Sequence, residues 1–268
     1  MPPIHFTKYH GAGNDFVIVD DREGQYAFAE NQATIARLCA RHTGIGADGL
    51  IFVRIANAQL RMVYYNADGA PSSFCGNGSR CFAQACYDLG LVSLDKPFSF
   101  TANDGEHTAT LLAPDRVEVS MRVSASAKTL PDGNCFVDTG SPHVVTWSEV
   151  LPKGDITAAA HAIRYNEAFA KTGVNVNFCA PTPNGIAIRT YERGVEGETL
   201  ACGTGVTAAA IVYAEREGLT GEVSVAIEAL GGNLEVRFSR DGETEAPKHV
   251  RLVGPSVRVF EGQWSQAL

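Results

Sequence analysis

Short apolar runs bounded by turn residues dominate the chain. Residues 16–19, 50–53, 60–65, 116–123, 185–191, 222–227, 233–238 and 250–260 are rich in β-branched and aromatic side chains, which predicts strands. Turn chemistry separates them at Ala67-Asp68-Gly69, Asp104-Gly105, Pro131-Asp132-Gly133, Gly231-Gly232 and Asp241-Gly242. Helical spacing is scarcer. Residues 31–42 place Ile35, Leu38 and Cys39 on one face, and residues 157–166 are rich in alanine. Two further helices are expected to begin at Gly76 and at Gly203 and to end near Gly90 and Gly218.

The two expected helices are related. Phe74-Cys75-Gly76-Asn77-Gly78 opens one and Ala201-Cys202-Gly203-Thr204-Gly205 the other, at an offset of 127 residues. The same offset carries the Gly11-Ala12-Gly13-Asn14 loop onto Gly140-Ser141-Pro142-His143, and Tyr65-Asn66 matches Tyr191-Glu192 to within one residue. Three landmarks in one order at nearly one spacing indicate a duplicated α/β unit. Two such domains facing each other would set Cys75 and Cys202 on either side of a cleft.

Composition narrows the function. The chain has 268 residues, 45% hydrophobic and 19% charged, and can bury one large domain or two ordinary ones. The formal charge of −8, with acids scattered along the chain, argues against a nucleic-acid partner. No apolar run nears the ~20 residues of a membrane span, and the first residues carry no secretory-signal pattern. Seven cysteines, an odd number without such a signal, read as free thiols in a reducing cytoplasm.

Cys75 and Cys202 each precede a Gly-x-Gly at a helix start. There the outward-pointing backbone N–H groups and the positive end of the helix dipole favour a thiolate, by up to ~2 kcal/mol when partly buried. Cys39, Cys81, Cys86, Cys135 and Cys179 read as small core hydrophobes instead. The spacing of Cys75, Cys81 and Cys86 matches no common zinc pattern, so no metal site is expected. A single-cysteine hydrolase would leave the second thiol idle. Two acid/base groups of one kind suit removal of a proton from one face of a carbon and delivery of another to the opposite face, which is racemisation or epimerisation. Gly44-Ile45-Gly46-Ala47-Asp48-Gly49 has the spacing of a dinucleotide-binding loop but follows a helix and enters a strand, the reverse of what that loop requires, so no nicotinamide or flavin is expected.

The motifs also resemble a known family. His10-Gly11-Ala12-Gly13-Asn14-Asp15-Phe16, Gly44-Ile45-Gly46-Ala47-Asp48-Gly49, Tyr65-Asn66-Ala67-Asp68-Gly69, Cys75-Gly76-Asn77-Gly78, Gly140-Ser141-Pro142-His143, Asn175-Val176-Asn177-Phe178, Tyr191-Glu192-Arg193-Gly194 and Ala201-Cys202-Gly203-Thr204-Gly205 are similar, in order, to the motifs of the diaminopimelate epimerases. The resemblance runs from residue 8 to about 210, with Gly254-Pro255 and Val259-Phe260-Glu261-Gly262 fitting the end. It implies an α/β (α+β) fold of two pseudo-symmetric mixed domains, 1–121 with 256–268, and 122–255. Each would be a mostly antiparallel sheet or barrel wrapped around a central helix, with the active site in the interdomain cleft. It implies a cofactor-independent cytoplasmic enzyme, usually a homodimer, converting LL-diaminopimelate to the meso form for lysine and cell-wall synthesis.

Carried over by position, the resemblance makes Cys75 and Cys202 the acid/base pair, supported by His143 and Glu192. Gly76, Asn77, Gly203 and Thr204 become a backbone cradle for the reacting carboxylate. Asn14, Asn66, Ser141, Asn175, Glu192 and Arg193 become ligands for the rest of the substrate. Two positions depart from the pattern. Ser141 stands where many members carry asparagine, and Gly49 where some carry glutamine. Ser141 therefore leaves open a sibling racemase acting on histidine or proline. A dithiol redox protein and a non-catalytic amino-acid binding module are the readings from other classes.

Overall fold

The alternation read along the chain folds into strands joined by hairpins and by helical crossovers. A computed structural model describes residues 3–72, 74–123, 125–242 and 246–265, and the chain divides into two units, Met1–Val119 with Gly254–Leu268, and Ser120–Val253. The first runs β1 (Ile4–Gly11), β2 (Asn14–Asp20), α1 (Gln32–Cys39), β3 (Gly49–Ala56), β4 (Gln59–Asn66), α2 (Gly76–Asp88), β5 (Phe98–Ala102), β6 (Gly105–Ala113) and β7 (Arg116–Ser120). The second runs β8 (Lys128–Thr129), β9 (Cys135–Asp138), β10 (Pro142–Trp147), α3 (Thr157–Arg164), β11 (Asn175–Thr182), β12 (Gly185–Glu192), β13 (Gly197–Thr199), α4 (Gly203–Arg216), β14 (Gly221–Ala229), β15 (Gly232–Arg240) and β16 (Lys248–Pro255). A last strand, β17 (Val257–Trp264), returns to the first unit and pairs antiparallel with β1.

The duplication is written in the pairing. In the first unit β1 and β2 are antiparallel, β2 and β3 parallel, β3 and β4 antiparallel, β4 and β5 parallel, and β5, β6 and β7 antiparallel. The second unit repeats that series with β9, β10, β11, β12, β14, β15 and β16. Each parallel pair requires a crossover, and α1 and α3 provide the first in each unit, α2 and α4 the second. The expected fold class is thereby borne out.

In each unit the sheet curls around one helix. Every residue of α2 from Gly76 to Cys86 is buried, as are Gly203, Val206 to Val212 and Ala214 of α4. A helix buried all round needs small or apolar residues on every face. The α4 sequence, Gly-Thr-Gly-Val-Thr-Ala-Ala-Ala-Ile-Val, meets that need with small side chains. In α2 the aromatic Phe82 packs against Phe100 of β5, the rings tilted by 41° with centroids 5.1 Å apart. The same helix buries the guanidinium of Arg80, which donates to Gly76 O (3.3 Å), Asn77 Oδ1 (2.9 Å) and Pro255 O (3.3 Å). Burial pulls that guanidinium down to about 10.

Two details depart from the pattern read in the sequence. The single strand expected over 250–260 is two, divided at Ser256, which is buried and donates its backbone N–H to Asp115 O at 3.0 Å. The strands β1, β6 and β11 carry no clear apolar signal because polar side chains, Lys8, His107, Asn175 and Asn177 among them, point inward and are bonded there.

Phe82→Ala removes a fully buried ring from the centre of the first unit. Urea denaturation should show a loss of about 3–5 kcal/mol, and Phe82→Leu a smaller one.

Candidate active site

In the first unit the sequence places Cys75 immediately before α2, where it takes extended backbone angles (φ −142°, ψ 117°) and caps the helix by accepting the Gly78 N–H at Sγ, 3.4 Å away. Its sulfur lies 3.7 Å from Asn14 Oδ1, and Asn77 Nδ2 donates to the same oxygen at 3.3 Å. Cys75, Asn77 and Asn14 are thus one group. Asn66 is not drawn into it. That residue ends β4 on the surface, where its backbone closes a turn with Gly69 and Ala70.

The Gly44–Gly49 loop, set aside as a nucleotide site, has a different task here. Its Asp48 carboxylate accepts from Asn14 Nδ2 at 2.7 Å and from the Asp15 backbone N–H at 3.2 Å. Arg41 bridges Asp48 and Asp15 at 2.5 and 2.8 Å, and buried Lys8 reaches Asp15 at 2.7 Å. Burial would raise the Asp15 carboxyl, but the Arg41 and Lys8 hydrogen bonds hold it down to about 2. Gly49 has no room for a side chain, because a Cβ would lie 2.6 Å from both Tyr65 O and the Tyr64 ring.

In the second unit Cys202 takes the equivalent place before α4 (φ −108°, ψ 111°). Its side chain makes no capping bond but approaches Thr204 Oγ1 at 3.4 Å. His143, buried at the start of β10, meets the same hydroxyl through Nε2 at 2.9 Å. Burial, reinforced by the Arg193 charge, pulls the imidazole down to about 3, so the ring is neutral at working pH. Asn177 Nδ2 lies 3.1 Å from the other ring nitrogen, Nδ1. Asn175, two residues earlier on the same face of β11, gives its Nδ2 to Ser141 Oγ (2.9 Å) and Pro142 O (3.1 Å) and accepts the Arg193 backbone N–H at 2.8 Å. The Arg193 guanidinium approaches Ser141 Oγ at 3.5 Å. Ser141, Asn175 and Arg193 therefore converge. Glu192, at the end of β12, accepts the Thr199 hydroxyl at 2.5 Å.

The glycines after the cysteines serve contact as well as turn formation. A Cβ on Gly205 would run into Asn177 Oδ1, so the glycine admits the asparagine against the first turn of α4. Among the described residues, no protein acceptor takes the N–H groups of Gly76, Gly203 and Thr204, which helix geometry directs outward. Such helix ends bind anions, carboxylates included. The other thiols differ. Burial pushes Cys39 and Cys81 up to about 12 and raises Cys86 and Cys179 further, leaving them inert, while Cys135 is only half-buried and also raised. Among the described residues no three metal-binding side chains gather.

Asp48, Arg80 and Asn177 are absent from the residues singled out by sequence. Only Asn177 had a usable signal, its i, i+2 spacing from Asn175.

The family model described as diaminopimelate epimerase matches residues 6–126 and 135–258. A diaminopimelate epimerase of Flavobacterium psychrophilum is 40% identical over 256 residues, 95% of this chain and 97% of that protein. One of Aquifex aeolicus is 37% identical, covering 98% of each. Among solved structures, a PhzF-family phenazine biosynthesis protein of Bacillus anthracis superposes with a TM-score of 0.72 at 13% identity, covering 99% of this chain and 100% of that one. A hydroxyproline epimerase of Agrobacterium vitis superposes with a TM-score of 0.65 at 12% identity, covering 98% and 92%. These two likenesses are of fold.

The neutral ring of His143 has a thermodynamic consequence. Its folded value lies below the ~6.5 of an exposed histidine, so the unfolded chain binds one more proton between the two. Stability from this group is complete above pH 6.5 and declines as pH falls, by about 1 kcal/mol per unit. Unfolding free energies measured from pH 6.5 to 4.5 should fall less steeply in His143→Gln than in the wild type; parallel curves would contradict a neutral buried ring.

Proposed function

We infer the reaction from a family assignment that is itself plain: the chain belongs to the diaminopimelate epimerase family. It is an isomerase that interconverts LL- and meso-diaminopimelate. The observation that carries the chemistry is the repeated N-cap cysteine, Cys75 on α2 and Cys202 on α4, at the same step of a duplicated topology.

Inversion at an α-carbon needs a base on one face and an acid on the other. In the proposed cycle one cysteine thiolate takes the α-proton, and the electron pair left on carbon delocalises into the adjacent carboxylate. The second cysteine then delivers its S–H proton to the opposite face and becomes the thiolate. No net proton is gained or lost, and the two sulfurs exchange roles for the reverse direction. Negative charge grows on the carboxylate as the proton leaves. Helix-start N–H groups of Gly76, Asn77, Gly203 and Thr204 are suited to stabilise it, because they are already oriented and do not reorganise during the step. His143, as a neutral ring bonded to Thr204, supports this arrangement without itself carrying a proton away, and Glu192 completes the same end of the site. Asn14 and Asn66 are assigned to the rest of the substrate.

The distal amino-acid end is assigned to Ser141, Asn175 and Arg193. A planar guanidinium can pair both oxygens of a carboxylate, which a lysine cannot. The contact of Arg193 and Asn175 with Ser141 supports this reading. The homodimer and cytoplasmic location implied by the resemblance belong to the same proposal.

Reduced protein incubated with LL-diaminopimelate in deuterium oxide should incorporate deuterium at the α-carbon and yield the meso form. Cys75→Ala and Cys202→Ala should each abolish this while retaining native circular dichroism; substantial turnover in either would sink the two-thiol scheme. Arg193→Ala should lose ten- to hundredfold or more in kcat/KM, consistent with a partly desolvated carboxylate left unpaired at a cost of roughly 1–3 kcal/mol. Arg193→Lys should recover only part. Equal turnover of histidine or proline by the wild type would overturn the substrate assignment but leave the proton chemistry standing.

A further inference from the structure

The hydrogen bonds around Cys202 have a direction that can be read from their fixed end. Asn177 Nδ2 lies 3.1 Å from Val144 O, a backbone carbonyl that can only accept. That atom is therefore the amide nitrogen, and the opposite oxygen takes the Thr190 hydroxyl at 3.0 Å. The second Nδ2 hydrogen points at His143 Nδ1, 3.1 Å away, which must accept it. A neutral imidazole that accepts at Nδ1 carries its proton on Nε2. Nε2 then donates to Thr204 Oγ1 at 2.9 Å. Thr204, having accepted from the ring, has its own proton left to give, and the Cys202 sulfur lies 3.4 Å from it. Asn175 Nδ2 also comes within 3.5 Å of His143 Nε2, but its two hydrogens are already directed to Ser141 and Pro142, so it does not reverse the sense.

We propose that Asn177 is a positioning residue that selects the Nε2–H tautomer of His143, makes Thr204 a donor to Cys202 Sγ, and thereby holds Cys202 as the sulfur stabilised as thiolate in the resting protein. This rests on the two-thiol reading and adds which thiol is poised as the base. The buried Asn177 side chain reaches the helix only because residue 205 is glycine.

The side-chain bonds of Asn14 and Asn77 beside Cys75 run in the other sense. Arg80, which cannot accept, takes Asn77 Oδ1 and leaves Asn77 Nδ2 to donate to Asn14 Oδ1. Asp48, as a carboxylate, takes Asn14 Nδ2 and turns the Asn14 oxygen towards Cys75. That oxygen can accept an S–H but offers nothing to a thiolate. The Gly78 N–H at 3.4 Å is compatible with a thiol that accepts one bond and donates another.

The experiment reads tautomer and thiol reactivity without relying on turnover. Nitrogen-15 spectra of histidine-labelled protein at neutral pH, with His143 assigned by its loss in His143→Gln, should show Nε2 protonated and Nδ1 bare. In Asn177→Asp an acceptor replaces the donor, and the proton should move to Nδ1. Iodoacetamide at pH 7, followed peptide by peptide, should modify Cys202 about tenfold more slowly in Asn177→Asp and in Thr204→Val than in the wild type. Thr204→Ser, which keeps the hydroxyl, should retain the wild-type rate. Cys75 in the same samples should keep its rate throughout. If Asn177→Asp does not fold, the wild-type spectrum and the Thr204 pair still decide. An Nδ1–H ring in the wild type, an unchanged Cys202 rate in Thr204→Val, or equal slowing of both cysteines overturns the proposal. Failure of deuterium incorporation by the wild type would instead overturn the epimerase reading, a separate result.

Discussion

Burying a helix on every face removes water from its backbone, so its first-turn N–H groups must find side chains or a ligand. Much of the candidate site follows from that constraint, applied twice. The helices α2 and α4 are each enclosed by a curled sheet, and the residue at each N-cap is a cysteine. In α2 the cysteine sulfur satisfies one of those N–H groups itself; in α4 it does not. The same enclosure dictates small residues within the helices and explains why the glycines cannot be exchanged freely. Gly205 leaves space for Asn177, and Gly78 lies 3.3 Å, by its absent Cβ, from Phe16 and Ile51.

Enclosure also raises the stakes for every polar group inside. A buried amide or imidazole without partners would cost a few kcal/mol, and beside each N-cap cysteine the polar side chains form a chain of bonds with defined direction. The ends of those chains are groups that can play one part only. Val144 O and Asp48 accept, and Arg80 donates. Direction therefore propagates from a rigid scaffold to the sulfur atoms. Two cysteines that look equivalent in the sequence acquire unlike surroundings. A reaction that needs one base and one acid at the same moment is served by that inequality, even though the fold arises from a repeat.

The contacts around Ser141 show a similar economy. Asn175 serves Ser141, Pro142 and the Arg193 backbone at once, so the residue that shapes the loop also fixes the main chain from which the guanidinium extends. Ser141 sits where the Asn175 and Arg193 side chains meet.

Local sequence determined much of this protein. Cysteine before Gly-x-Gly marks a helix start through short-range geometry, and the 127-residue offset revealed the duplication because repeated topology preserves spacing. Strands with outward polar and inward apolar residues were legible for the same reason. Strands that turn polar groups inward, such as β11, were not, because their alternation is disguised by residues whose partners lie far along the chain. The Gly44–Gly49 loop could be excluded as a nucleotide site from its order of elements, but its use as the holder of Asn14 could not be read, since Asp48 and Asn14 meet only in the folded unit. Nor could the positions of Asn177 against His143 or Arg80 against Asn77. Tertiary structure alone decided them, because the direction of a buried hydrogen bond depends on which distant donor or acceptor closes its far end.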